Sequence, residues 1–318
     1  MPLVVSLVLI LAGSITLVFA VNLFIGSSSK IAKKFGVSGY TISFLLVSVA
    51  TSLPEVVVAV TSALEKTPIL SFGDAMGSNV TLVTLVLALP ILLNTNKGIS
   101  TRTILHSKDA YYAILFGILP VLLAVDGTIS RIDGGILLTL YIIYMFVVWR
   151  RSRGVEKIIE KIEQVNVWKQ AVIFVLSLLL LLGASETIVQ TALYLSSSLG
   201  WGLAFIGVSL TAIGTSLPEI AFTITASNGR FQQQILGDIV GSVVANSTAV
   251  LGTAAVIYPI EIGGDIGNTG LIIFFTIIML IFIRFARTKE KVDKSEAIML
   301  VLIYIFFLFS QYYLQTLR

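Results

Sequence analysis

The 318-residue chain contains no cysteine, so it can build neither a disulfide framework nor a thiolate metal site. Its only histidine, His106, lies in a polar connector, which excludes a histidine metal centre or proton relay. Charged residues make up 12% of the chain, against roughly 25% in soluble domains. No G-x-x-x-x-G-K-[ST] loop is present to cradle a nucleotide phosphate. What is abundant is apolar: 56% hydrophobic residues, with a mean hydropathy of +0.99. This composition belongs to a polytopic membrane protein.

About 20 apolar residues cross a bilayer. Ten segments qualify: 3–25, 40–63, 70–93, 109–126, 133–149, 168–196, 201–226, 233–258, 268–286 and 296–316. The first lacks a clear small-residue cleavage site and reads as a span, not a removed signal peptide. With the N-terminus outside, 18 of the 21 Lys and Arg fall in inside connectors, and only Lys66, Arg131 and Arg318 fall outside. The positive-inside rule predicts this bias, and one miscounted span would scramble it. The net charge of +4 therefore reflects topology and not a nucleic-acid surface.

The pentapeptide TSLPE occurs twice, at Thr51–Glu55 and Thr215–Glu219, 164 residues apart. At the same offset GDAMGS (Gly73–Ser78) meets GDIVGS (Gly237–Ser242), and Asn22 meets Glu186. Two different motifs in one register indicate duplication. Five spans separate equivalent helices, and an odd number flips orientation. The expected architecture is an all-α membrane protein of ten transmembrane helices in two inverted five-helix repeats, residues 1–149 and 170–318. A charged linker at 150–169 joins them on the cytoplasmic side. Its Glu156/Glu160 and Lys157/Lys161 spacing is helical, but a solvated linker is the preferred reading. Inverted repeats with interrupted helices are a plan of secondary transporters.

A glutamate inside a span costs about 2.5–3.5 kcal/mol on insertion scales and marks function by default. Each TSLPE proline removes a backbone donor and frees a carbonyl one turn earlier, which at membrane depth is tolerated only in protein or beside a wet cavity. Thr51, Ser52, Glu55 and their counterparts Thr215, Ser216, Glu219 thus form a hard-oxygen cluster suited to Na+, Ca2+ or Mg2+. The alternative, a simple kink with a lysine-paired glutamate, has no basic residue in either helix to support it. In the second motif pair the glycines suit close helix approach. Asp74, Ser78 and Leu82 share one helical face, as do Asp238, Ser242 and Asn246. Glu186 faces either a cavity or the outer end of its span. Asp126 and Asp133 flank Arg131 in a turn that reads as solvated.

These motifs resemble the cation/Ca2+ exchanger superfamily, and most closely the prokaryotic sodium/calcium exchanger family, over nearly the whole chain. The resemblance implies that spans 2, 3, 7 and 8 hold the ions while spans 1 and 6 slide across them. It implies ion-binding roles for Glu55, Glu219, Ser78 and Ser242, with oxygen from Thr51, Ser52, Thr215 and Ser216. Departures are also visible. The position four residues after each motif serine is Leu82, which offers no oxygen, and Asn246, where many relatives have Asp. The usual Asn of G-N-x-x-G-S is Asp in both copies, Asp74 and Asp238, placed on the outer and inner approaches as entry ligands or proton-coupling groups.

The expected function is Ca2+/Na+ antiport by alternating access, with inorganic cations as cargo, no cofactor, no enzymatic activity and a monomeric unit in the cell membrane. The alternatives are the same fold driven by H+ or carrying Mg2+ or K+ and, further off, a channel or ion sensor.

Overall fold

Proline and threonine decide where the helices of this chain break and widen. The computed structural model describes residues 3–34, 52–94, 99–100, 109–152, 166–227, 232–263, 266–287 and 291–316. Thr51, His106 and most of the 150–169 linker lie outside the described residues. In chain order, the first half contains α1 (Leu3–Lys34), α2 (Leu53–Leu64), α3 (Pro68–Thr81), a π-turn at Leu82–Val86, α4 (Leu87–Asn94), β1 (Ile99–Ser100), α5 (Asp109–Leu123), β2 (Thr128–Ile129) and α6 (Arg131–Ser152). The second half contains α7 (Val167–Leu199), α8 (Leu203–Ile206), a π-turn at Gly207–Thr211, α9 (Ala212–Thr215), α10 (Leu217–Ser227), α11 (Gln232–Ala245), a π-turn at Asn246–Val250, α12 (Leu251–Ile257), β3 (Ile260–Glu261), α13 (Ile266–Arg287), β4 (Lys291–Val292) and α14 (Lys294–Thr316).

The 164-residue register extends from motifs to backbone. Helices α2 and α10 start at Leu53 and Leu217; α3 and α11 start at Pro68 and Gln232 and end at Thr81 and Ala245. The π-turns that follow start at Leu82 and Asn246. Each has a threonine whose hydroxyl turns back on the carbonyl four residues earlier: Thr84 to Val80 at 2.5 Å and Thr248 to Val244 at 2.6 Å. Such back-bonding competes with the helical ladder and loosens it locally. The third π-turn has the same device, Thr211 to Gly207 at 2.8 Å.

Six helical segments among the described residues are long and apolar enough to cross a membrane: Leu3–Phe24, Pro68–Leu93, Arg131–Val148, Val167–Leu199, Ile235–Ile257 and Lys294–Thr316. Among the described residues, Leu53–Leu64, Leu115–Asp126 and Gly270–Phe282 are shorter apolar stretches, the last lying inside the 22-residue helix α13, and Leu203–Thr215 with Leu217–Ile224 is bent by 42°. Two short antiparallel ribbons join the halves. Ile99 lies opposite Val292 in β1–β4, and Ile129 opposite Ile260 in β2–β3. The β2 turn is built as a solvated one: Asp126 Oδ1 accepts from Thr128 N at 3.0 Å, and Asp133 Oδ2 from Ser130 N at 2.8 Å. Arg131 reaches across to the Ile257 carbonyl at 3.3 Å.

The interior has two apolar clusters. The larger one gathers Phe72, Met76, Leu82, Phe275, Met279 and Phe307 among others. The smaller one holds α1 and α7 together through Ile10, Leu17, Leu181 and Ile188, seated on Val58, Leu70 and Ile206. Val4, Val8, Leu11, Ile15 and Phe19 of α1 stay exposed, as do Leu176 and Leu179 of α7, the lipid-facing side expected of a membrane protein. Within a bilayer helices associate by close packing and not by hydrophobic drive, so small residues mark the contacts. At the crossing of α3 with α8 and the following π-turn, a Cβ on Gly73 would strike the Ala204 carbonyl, and one on Gly77 would lie 2.6 Å from Val208 Cα and 2.9 Å from Ala212 Cβ. Backbone cannot yield there as a side-chain tip can. Gly77→Val is therefore expected to destabilise the protein by at least about 1–3 kcal/mol, with Gly77→Ala milder; thermal unfolding in detergent with size-exclusion analysis checks both.

Candidate functional site

The serines of the two TSLPE motifs have the same backbone geometry. Ser52 sits at φ −90°, ψ 5° and Ser216 at φ −82°, ψ 5°, a sparsely occupied region frequent in turns and active sites. Pro218 removes the usual helical donor to the Gly214 carbonyl. A new helix starts at once in each case, with Val56 N on Ser52 O and Ile220 N on Ser216 O, both at 3.1 Å. Ser-Leu-Pro-Glu has the spacing of a capping box, yet Ser52 makes no side-chain cap bond. Ser52 and Ser216 keep buried hydroxyls without partners among the described residues. Glu55 and Glu219 are each 1% exposed, and Oε2 of each is unpartnered in the same sense. The local sequence thus builds two caps and leaves their oxygens for something else.

Helix α3 delivers the next groups. Asp74 and Ser78, one turn apart, both face Thr215 at the end of α9. The Thr215 hydroxyl donates to Asp74 Oδ1 at 3.2 Å and lies 3.3 Å from Ser78 Oγ, which also approaches the Ala212 carbonyl at 3.5 Å. Asp74 is fully buried, and its Oδ2 has no partner among the described residues. Gly207 permits this approach, since a Cβ there would be 2.7 Å from Asp74 N. In α11, Ser242 is buried and Asp238 partly buried. Asn246, at the start of its π-turn, is 1% exposed with neither amide atom partnered among the described residues. Its counterpart Leu82 is absorbed into the large apolar cluster.

The four acids share one electrostatic centre. Glu55 lies within the field of Asp74 and Asp238, and Glu219 within that of Glu55, Asp238 and Asp74. Every lysine and arginine whose side chain is described is exposed. Among the described residues no three acidic or histidine side chains gather closely enough to hold a metal ion alone. A cation here would complete its shell with hydroxyl, amide and carbonyl oxygens, the ligands of hard cations. Of the eleven residues predicted from sequence, Glu55, Ser52, Asp74, Ser78, Thr215, Ser216, Glu219, Ser242, Asn246 and Asp238 are described, and Thr51 is not. Glu186 stands apart, accepting from Gln190 Nε2 at 2.8 Å.

Sequence reasoning missed one polar pair. Asn79 Nδ2 donates to Ser247 Oγ at 2.8 Å across the halves, and both residues are fully buried. The pair breaks the 164-residue register: Val243 stands opposite Asn79 and Val83 opposite Ser247, so repeat comparison hides it. The available signal was an amide inside an apolar span.

The sequence matches the family described as sodium/calcium exchanger protein over residues 5–150 and 169–313. It is 25% identical to the sodium/calcium exchanger MaX1 of Methanosarcina acetivorans, over 98% of this chain and 99% of that one. It is 27% identical to an uncharacterized membrane protein of Methanocaldococcus jannaschii, over 93% and 94%. The fold is similar to solved structures of the sodium-calcium exchanger NCX_Mj. One of these, soaked with 10 mM Na+ and 10 mM Sr2+, has a TM-score of 0.64 and 27% identity and covers 96% of this chain and 98% of that one. With its apolar helices, paired breaks and buried acids, this chain is a multi-pass membrane protein and belongs to the sodium/calcium exchanger family.

Proposed function

We propose that the protein is a secondary-active antiporter that exchanges Ca2+ for Na+ by alternating access at a central two-glutamate site. The observation that carries this reading is the pair of breaks at Ser52 and Ser216, alike in dihedral angles, each followed by a glutamate 1% exposed with an unpartnered Oε2. Two carboxylates can hold one divalent ion or monovalent ions in its place, but not both loads together. Competition for one site is the physical basis of exchange. Thr51, Ser52, Ser78, Thr215, Ser216, Ser242 and Asn246 complete the shell in this reading, with Asp74 and Asp238 on the two approaches. The names of the relatives, sodium/calcium exchangers among them, support Na+ and Ca2+ as the cargo.

The proposed frame is ten spans in two inverted five-helix repeats, 1–149 and 170–318, with the N-terminus outside and the 150–169 linker cytoplasmic. Matching element bounds at the 164-residue offset and the two ribbons that each join one half to the other support it. The apolar cluster that pairs α1 with α7 and seats them on Val58, Leu70 and Ile206 suits a pair that moves as a unit against the rest. The proposed working unit is a monomer in the lipid bilayer.

Two measurements test the reading. Reconstituted vesicles should take up radioactive Ca2+ when an outward Na+ gradient is imposed and not under an H+ or K+ gradient alone; uptake driven by H+ alone would overturn the Na+ assignment. Separately, cation-free protein holds like charges close together. Glu55→Gln and Glu219→Gln are expected to raise thermal stability without cation by about 1–3 kcal/mol. They should abolish the Ca2+-induced stabilisation, which for the natural protein reaches about 2.7 kcal/mol at a hundredfold excess over Kd. Thermal unfolding with and without Ca2+ reads both effects.

A further inference from the structure

Asn79 and Ser247 belong to none of the groups assigned above to the cation. Asn79 lies on α3, and Ser247 is the second residue of the π-turn Asn246–Val250; both are at 0% exposure. The bond from Asn79 Nδ2 to Ser247 Oγ, 2.8 Å long, fixes the plane of the amide. With its donor side committed, Oδ1 is held on the other side of the group, where it has no donor among the described residues. A buried carbonyl oxygen left in this way costs about 1–3 kcal/mol, and such groups in native proteins call for a water or an ion. The residue before Ser247 is Asn246, whose Oδ1 and Nδ2 are also unpartnered among the described residues. One buried amide from each half thus lies on the two elements, α3 and the π-turn, that the Asn79–Ser247 bond ties together. Wide turns of this kind recur at functional sites.

We infer that Asn79 Oδ1 is a ligand for a monovalent hard cation, in a neutral amide subsite shared with Asn246 beside the glutamate pair. The inference rests on the exchanger reading above. The donors are neutral, since Asn79 and Asn246 each offer an amide oxygen that carries no charge. Neutral carbonyl oxygens can replace the hydration shell of a monovalent ion, whereas affinity for Ca2+ is tuned by the charge count of its ligands. The subsite therefore serves the monovalent partner of the exchange, and Ser247 is a positioning residue that aims the amide.

The test measures the Na+ and Ca2+ concentrations for half-maximal exchange in vesicles containing the full chain. Asn79→Leu deletes the oxygen and should raise the Na+ value about tenfold, the worth of one good polar contact to an ion, with the Ca2+ value changed far less. Ser247→Ala frees the amide and should raise the Na+ value by a smaller factor. Asn79→Asp keeps an oxygen in place and adds charge, so it should lower the Na+ value; it also decides the matter should Asn79→Leu fail to fold. Na+-dependent thermal stabilisation without Ca2+ should follow the same order. Natural Na+ values in a folded Asn79→Leu protein, or in Asn79→Asp, would overturn the inference and leave the pair as a packing clasp. Glu55→Gln separates the two levels: if it is inactive while the Asn79 variants behave naturally, only this inference fails. Natural exchange by Glu55→Gln would instead overturn the exchanger reading on which the inference stands.

Discussion

Carboxylates held inside a membrane protein without basic partners constrain the rest of this molecule. Glu55, Asp74 and Glu219 are at most 1% exposed, and the described lysines and arginines are all at the surface. Taking an ionised carboxylate out of water carries a desolvation penalty of several kcal/mol per ion even after relaxation. In the exchanger reading proposed above, a mobile positive charge offsets that penalty. The surrounding structure reads as the means of bringing oxygen to that charge while keeping fixed cations away.

The means are defects in otherwise regular helices. A straight helix uses every backbone carbonyl and, at membrane depth, leaves none to spare. Here Pro218 follows the bend between α9 and α10 at Ser216, Pro54 sits at the start of α2 after Ser52, and threonine back-bonds at Thr84, Thr211 and Thr248 loosen three turns. The dihedral angles at Ser52 and Ser216 and the π-turns at Leu82 and Asn246 recur at one offset, and the π-turn at Gly207–Thr211 is a further widened turn of the second half. Glycine completes the arrangement: only without side chains at Gly73, Gly77 and Gly207 can α3 lie close enough to α8 and α9 for Thr215 to reach Asp74 and Ser78.

Much of this was legible before any coordinates. The Pro-Glu pairs announced the helix start at Leu53 and the break at Ser216, since a missing amide hydrogen acts locally whatever surrounds it. At the repeat offset the starts of α2 and α10 and both ends of α3 and α11 agree to the residue. Helical periodicity put Asp74 and Ser78 on one face, and they do share a partner. Span continuity was less legible: the expected span 201–226 is divided among α8, a π-turn, α9 and α10, because threonine back-bonding is invisible to a hydropathy window. The Asn79–Ser247 bond was hidden because it has no repeat counterpart, so symmetry, the strongest guide elsewhere, pointed away from it.

The sequence by itself determined the membrane class, the repeated motifs and which residues offer hard oxygens, because composition, offset and proline chemistry depend only on local covalent structure. Only the tertiary structure decided which oxygens meet. That Thr215 of one half closes on Asp74 of the other, that Leu82 turns into the apolar core while Asn246 remains unpartnered, and that Asn79 is pinned by Ser247 all depend on how α3 crosses the second half. That crossing is set by the steric fit of glycines against backbone, a property of two surfaces brought together and of neither segment alone.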